Sequence, residues 1–199
     1  MKPLKAVRSV AVVLPEENID TDRIIPARFL STTTSDGLGK HAFHDARRLA
    51  EGVPDESFAL NDARAHGAEI LIAGRNFGCG SSREHAAWAL GDIGVRVVIS
   101  SEIADIFRAN ASRNGILPIV LDVESHGRLM ACGFETMEVD LEACEIRPEG
   151  SEPIAFEVDG FMRRCLLDGT DHLGFLLGHY SAIESFDAAR DARLAGAES

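Results

Sequence analysis

GRNFGCGSSREHAAWAL, residues Gly74 to Leu90, is the stretch around which the chain is organised. It follows Glu69-Ile70-Leu71-Ile72-Ala73, a short apolar run bounded by glycines whose length and β-branched content suit a buried strand. After the glycines, Ser81-Ser82-Arg83-Glu84 has the S-x-x-E spacing of a capping box, in which Ser81 and Glu84 satisfy each other's free amides. The segment therefore reads as strand, tight turn and helix N-terminus. Gly78 and Gly80 permit positive φ or a close approach to a ligand, and amides at a helix start favour negative charge. Arg83 adds a forked donor that matches a carboxylate or phosphate. The turn thus suits a small anion, although a helix cap and a plain turn account for the same residues. Two phosphate motifs fail here. A Walker A loop would need glycine where Cys79 stands and a lysine before the serine, and a dinucleotide fingerprint would need glycine where Arg83 stands.

Working outward, Ala6 to Leu14 reads as a strand stopped by Pro15, and Ala27 to Leu30 as a short helical turn. Asn18-Ile19-Asp20-Thr21-Asp22-Arg23 between them is turn-rich and carries carboxylates, as a solvated loop held by Asx side chains would. Ser31 to Lys40, STTTSDGLGK, is polar and without periodicity, hence a mobile loop by composition. His41 to Ala50 reads as a helix with His41 and His44 at i, i+3, a pair that lacks a third metal ligand. Gly52 to Ala68 is connecting structure. Val95 to Ile99 and Ile116 to Leu121 read as strands on either side of a helix capped by Ser101, with Ile103, Ile106 and Phe107 on one face and an end at Asn114-Gly115. Strands alternating with helices imply right-handed crossovers and parallel pairing. Met137 to Leu141, Cys144 to Arg147 and Ile154 to Val158 read as an antiparallel meander or barrel edge. Phe161 to Leu194 is helical with a break at Asp168-Gly169, a second capping box at Ser181 to Glu184, and a packing face of Ile183, Phe186 and Leu194.

A chain of 199 residues, 45% hydrophobic and 26% charged, can bury a core as one α/β domain over 1–199, with a helical tail over about 160–199. The net charge of −12 argues against a nucleic-acid surface and poses a problem for an anionic substrate. Arg23, Arg28, Arg75 and Arg83 lie in the two motif regions and could reverse that field locally. No apolar run approaches the roughly 20 residues of a membrane span and no basic-then-apolar leader is present, so a cytoplasmic chain is expected. Cys79, Cys132, Cys144 and Cys165 are scattered, which suits reduced thiols better than a disulfide framework or zinc site. Cys79 has no second cysteine nearby to share an iron–sulfur cluster.

FGCGSSREHAAWAL resembles the signature of the small subunit of 3-isopropylmalate dehydratase, which is similar to the C-terminal swivel domain of aconitase. NIDTDRIIPARFL, GLGKHAF, ADIFRANASRNGILPI, DLEACEI and FMRRCLLDGTDHLGFLLGH match that subunit in the same order, so the resemblance covers nearly the whole chain. Ala46 departs from it, since the family has an aromatic residue after the aspartate. The resemblance implies a swivelling β/β/α barrel with a C-terminal helical extension, and a hydro-lyase that interconverts 2- and 3-isopropylmalate through isopropylmaleate in leucine biosynthesis. It implies that Ser81 is the base and that Ser82, Arg83, Asp22 and Gly80 bind substrate. Ser31, Thr32, Thr33, Thr34 and Ser35 become the loop that senses the substrate's side group, and His85 packs in its helix or pairs across the subunit interface. No cofactor or metal is expected on this chain, because the family's [4Fe–4S] cluster belongs to a large subunit, the expected partner alongside a small dicarboxylate. The removed proton is α to a carboxylate and hydroxide leaves poorly, so the reaction needs charge stabilisation and a Lewis acid. Two alternatives stay open: the small subunit of a related hydro-lyase acting on homoaconitate or a methylated malate, and a non-catalytic anion-binding regulatory module.

Overall fold

In the computed structural model, strand β1 (Ala6–Leu14) pairs in two directions at once. Its second half runs parallel to β2 (Ile70–Ala73), with Ala11 opposite Ile70, while its first half runs antiparallel to a later strand, with Val7 opposite Val139. The structure describes residues 1–31 and 34–197, so Thr32 and Thr33 of the predicted substrate loop lie outside the described residues. Between β1 and β2 lie one turn of helix, α1 (Thr21–Ile24), and a series of 3-10 turns. Then follow α2 (Glu84–Asp92), β3 (Val97–Ser100), α3 (Asp105–Arg113), β4 (Leu117–Val120) and α4 (Val123–Met130). The antiparallel wing is β5 (Thr136–Asp140), β6 (Glu145–Pro148) and β7 (Ile154–Ala155), and the chain continues as α5 (Gly160–Asp168), α6 (His172–Gly178) and α7 (Tyr180–Ala197). The strands form one curled seven-stranded sheet in the order β4-β3-β2-β1-β5-β6-β7. The parallel pairing and the meander are as the alternation of elements predicts, and β1 joins them.

Both faces of the parallel half are covered, which is why its strands read as unbroken apolar runs. Val12, Leu14, Leu71 and Val98 face the helices α2 and α3, where Ala86, Leu90, Phe107 and Ala111 meet them. Ile70, Ile72, Val97, Ile99 and Leu117 face the other way, with Leu129 of α4 and Leu166 of α5. Each fully buried leucine or phenylalanine contributes about 2 kcal/mol by area.

Several local expectations yield to tertiary contacts. Residues 41–50 are turns rather than a helix, because Phe43 adopts φ 51° with its ring buried, and Arg48 forms a bridge with Pro54. Ser101 does not cap α3; Ala104 holds the N-cap position, Ile103 precedes the helix, and Ile106 is exposed on it. Ser181 stands inside α7 rather than capping it, and accepts on its carbonyl from the Ser185 hydroxyl. Ile183 and Phe186, predicted to pack, are exposed in this chain. Helix α4, capped by the Asp122 carboxylate on the Ser125 amide at 2.9 Å, falls in a stretch to which the sequence analysis assigns no element.

Candidate active site

The signature turn lies beyond the carboxyl ends of β1 and β2, where open parallel sheets place their sites. The segment leaving β1 runs beside it: the amides of Asn18, Gly78 and Thr21 donate to the carbonyls of Arg75, Ile19 and Cys79 at 2.8, 2.7 and 2.9 Å. One glycine makes this approach possible, and a second lets the turn pack on α3. A Cβ on Gly74 would stand 2.3 Å from the Glu16 carbonyl oxygen, and one on Gly78 would stand 2.3 Å from Cγ of Phe107. Gly78, at φ 73°, therefore serves packing against Phe107 rather than approach to a ligand, and Phe77 meets the same ring edge-on at 5.2 Å.

The start of the turn is held from below. The buried Ser100 hydroxyl donates to the Gly74 carbonyl at 2.8 Å, and buried His126 donates from Nε2 to the Ala73 carbonyl at 2.8 Å. An imidazole facing a carbonyl must carry its proton on that nitrogen. Neither residue is singled out by the sequence: Ser100 ends an apolar run, and His126 lies on α4, without a local motif around it.

Ser81 and Ser82 are exposed in the bend ahead of α2. The predicted capping box does not form. Arg83 occupies the N-cap position with extended backbone and makes no side-chain cap. The Ser81 carbonyl instead accepts from Thr21 Oγ1 at 2.9 Å, and Glu84 Oε1 accepts from Asn114 Nδ2 at 3.0 Å. Pinning Ser81 to α1 keeps both serines off the helix, with their hydroxyls at the surface.

Arg83 donates from Nη1 to Asp22 Oδ1 across the two segments, with its own side chain 17% exposed and that of Asp22 50%. Asp20, on the same segment as Asp22, accepts from the Arg23 amide at 2.6 Å and caps α1. The structure thus brings Asp22, Ser81, Ser82 and Arg83 to one place, with Gly80 at φ 88° between the serines and the Asp20 side chain. It does not deliver the unbalanced positive field expected of the arginines: Arg23 pairs with Glu16, Arg28 with Asp45, and Arg75 with Glu102. Burial, and then the Asp20 carboxylate, push the Cys79 thiol above its ordinary value, the reverse of what a thiolate ligand requires. Among the described residues no three His, Cys, Asp or Glu side chains converge to hold a metal ion. Ser31, Thr34 and Ser35 are exposed in the loop following Phe29.

This fold and site define an aconitase-type C-terminal domain, and residues 1–124 match the family model of that description, the Aconitase C-terminal domain. The chain is 53% identical over 191 residues to a 3-isopropylmalate dehydratase small subunit of Anaeromyxobacter sp. strain K, covering 96% of this chain and 100% of the relative. It is 45% identical over 193 residues to one of Agrobacterium fabrum, covering 95% and 96%. A crystal structure of 3-isopropylmalate dehydratase (LeuD) from Methanocaldococcus jannaschii superposes with a TM-score of 0.67 at 28% identity, covering 92% of this chain and 99% of that one. The chain belongs to the family of 3-isopropylmalate dehydratase small subunits, within the aconitase superfamily of hydro-lyases.

Proposed function

We propose that this chain supplies the base and the carboxylate clamp of an isopropylmalate isomerase, and that a cluster-bearing large subunit supplies the remainder. The observation that carries this reading is the placement of Ser81, Ser82 and Arg83 at the surface end of the parallel sheet, held by backbone contacts yet open on one side. Ser81 Oγ, as an alkoxide, takes the proton α to a carboxylate and becomes a hydroxyl. The electron pair left behind forms the double bond of isopropylmaleate as hydroxide departs from the neighbouring carbon. Returning that proton to the carbon that lost hydroxide, while hydroxide adds to the carbon that lost the proton, gives 3-isopropylmalate. Ser82 donates to a substrate carboxylate, and Arg83 grips one through two N–H bonds once Asp22 gives up a share of it.

An alkoxide is sustained only where fixed dipoles replace water. Because Ser81 is exposed here, the dry surroundings must come from a covering surface, which supports a partner subunit. A [4Fe–4S] cluster held by that partner would supply the Lewis acidity that a departing hydroxide needs. Among the described residues no set of side chains converges to hold such a cluster, and burial raises the isolated Cys79 thiol. The cysteines are free, which supports a reducing cytoplasmic setting, and among the described residues no helix is long and apolar enough to cross a membrane.

Anaerobic turnover of 2-isopropylmalate tests the reading, using this chain with its candidate large subunit, each alone, and the mixture with Ser81→Ala. Activity is expected only in the intact mixture, with Ser81→Ala lowering kcat by at least about 10³-fold while substrate binding persists. Turnover confined to homoaconitate or a methylated malate would move the assignment to a sister hydro-lyase. Anion binding indifferent to Ser81→Ala, without turnover, would mark a regulatory module.

A further inference from the structure

We propose that Thr21 is a positioning residue that fixes the peptide between Ser81 and Ser82 so that its N–H, and not its carbonyl, faces the substrate. This rests on the reading that the serine turn meets the substrate's carboxylates.

The deciding contact is a single hydrogen bond. Thr21 is 2% exposed, and its Oγ1 donates to the Ser81 carbonyl at 2.9 Å across 60 positions of sequence. A trans peptide is planar, with its C=O and N–H pointing in opposite directions. A carbonyl drawn inward onto a buried hydroxyl therefore turns the Ser82 N–H outward, to the side on which Ser81 and Ser82 are exposed. Among the described residues that N–H has no hydrogen-bond partner. A free donor beside Arg83 matches a carboxylate, whereas a carbonyl in its place would repel one.

Thr21 is itself fixed against the turn. Its amide donates to the Cys79 carbonyl at 2.9 Å, and its carbonyl accepts from the Ile25 amide at 2.9 Å. Asp20 forms a parallel bridge with Cys79, and Asp22 accepts from Arg83, so the segment grips the turn at alternate residues, Cys79, Ser81 and Arg83. Turn peptides rotate between two opposed orientations, which is the difference between type I and type II turns. The Thr21 hydroxyl selects one of them. A valine would fill the same buried space, so what threonine adds at this position is the donor.

The test uses the assembled two-subunit enzyme with Thr21→Val, Thr21→Ser and Arg83→Lys. It reads kcat/KM for 2-isopropylmalate and the inhibition constants of isopropylsuccinate, an inert analogue without the hydroxyl, and of its two monoamides, in which a neutral carboxamide replaces one carboxylate. Thr21→Val is expected to lower kcat/KM about 10- to 30-fold and to weaken isopropylsuccinate about 10-fold, while the monoamide lacking the carboxylate at Ser82 weakens no more than about 2-fold. Thr21→Ser, which keeps the hydroxyl, is expected to stay within about 3-fold of the parent throughout. Should Thr21→Val fail to assemble, Thr21→Ala, equally without a donor, carries the same expectation. An equal loss for isopropylsuccinate and both monoamides would reduce Thr21 to a structural residue. Unchanged constants for all three would show that the peptide keeps its orientation unaided, and either result overturns the proposal. Isopropylsuccinate inhibition indifferent to Arg83→Lys would instead remove the turn from the substrate, and the proposal would fall with that reading.

Discussion

The turn at Gly74 to Arg83 and the described loop residues Thr34 to Leu38 lie toward opposite ends of α2, and they are built on opposite principles. The turn is over-determined: flanking backbone pairs with it, Ser100 and His126 hold its first carbonyls, Phe107 fills the space beneath Gly78, and Thr21 holds Ser81. Among the described residues the loop is held chiefly at its base, by buried Leu38, the Gly39–Asp92 bond and the Phe29–His41 stack. A group that must carry out the same proton transfer on every substrate needs fixed geometry within a fraction of an ångström. A group that distinguishes one apolar substituent from another gains only about 1–3 kcal/mol and can be varied without disturbing the chemistry. The difference teaches that one chain can fix the segment bearing its candidate catalytic groups throughout and hold another only where it meets the core.

The contrast can be broken most decisively at Arg83. Arg83→Lys keeps the charge but loses the fork, and is expected to lower kcat/KM in the assembled enzyme by roughly 10²- to 10³-fold, or about 3–4 kcal/mol, with little change in stability. An effect below about 5-fold would show that a point charge suffices and that no bidentate clamp operates. Next in size is Gly78→Ala, which forces a left-handed alanine onto the Phe107 ring. A loss of about 3 kcal/mol is expected, read as a drop of roughly 6–12 °C in Tm. If the turn instead absorbs the methyl group with no change in Tm, it is not the rigid element described above.

At the loop the same measurement should register almost nothing. Ser35→Phe is expected to change stability by no more than about 0.5 kcal/mol by denaturant titration, since the side chain is exposed between anchored ends. A larger loss would mean that the tip is packed as tightly as the turn. The smallest effect concerns the loop's base at acid pH. Hydrogen bonds from Arg28, and then His44, hold the Asp45 carboxyl well below its ordinary value, at about 2. A depressed folded-state value means that the native form binds fewer protons, so the contribution is present above about pH 4 and is lost as pH falls toward 2. Because the pair is more than half exposed, screening keeps the effect small. Asp45→Asn should slightly flatten the fall of Tm between pH 4 and 2, and an unchanged slope would remove the pair from the account of the loop's base.

Most of the parallel half was legible because burial on both faces writes itself as short runs such as Ile70 to Ala73 and Val97 to Ile99, with turn residues between them. The site residues were legible as a group because the signature places Ser81, Ser82 and Arg83 side by side, and the Asp22 segment matches the same family in the same order. What misled was local grammar. Ser81-x-x-Glu84 has the spacing of a capping box, but Thr21 takes the Ser81 carbonyl and Asn114 binds Glu84, partners 60 and 30 positions away. Residues 41–50 have helical composition, yet the buried Phe43 ring sets a backbone angle that no helix permits.

The sequence by itself determined the family, the order of strands and helices through the parallel half, and the side-by-side placement of Ser81, Ser82 and Arg83, because each of these depends on residues that are neighbours in the chain. Only the tertiary structure decided that β1 joins a parallel to an antiparallel sheet, that Arg83 rests on Asp22, that His126 and Ser100 support the turn, and that Asp92 reaches Gly39. The physical reason is common to all four: each is a contact between groups 26 or more positions apart, mostly single hydrogen bonds whose donors and acceptors occur throughout the chain, and only the packing of the sheet and helices selects which of them meet.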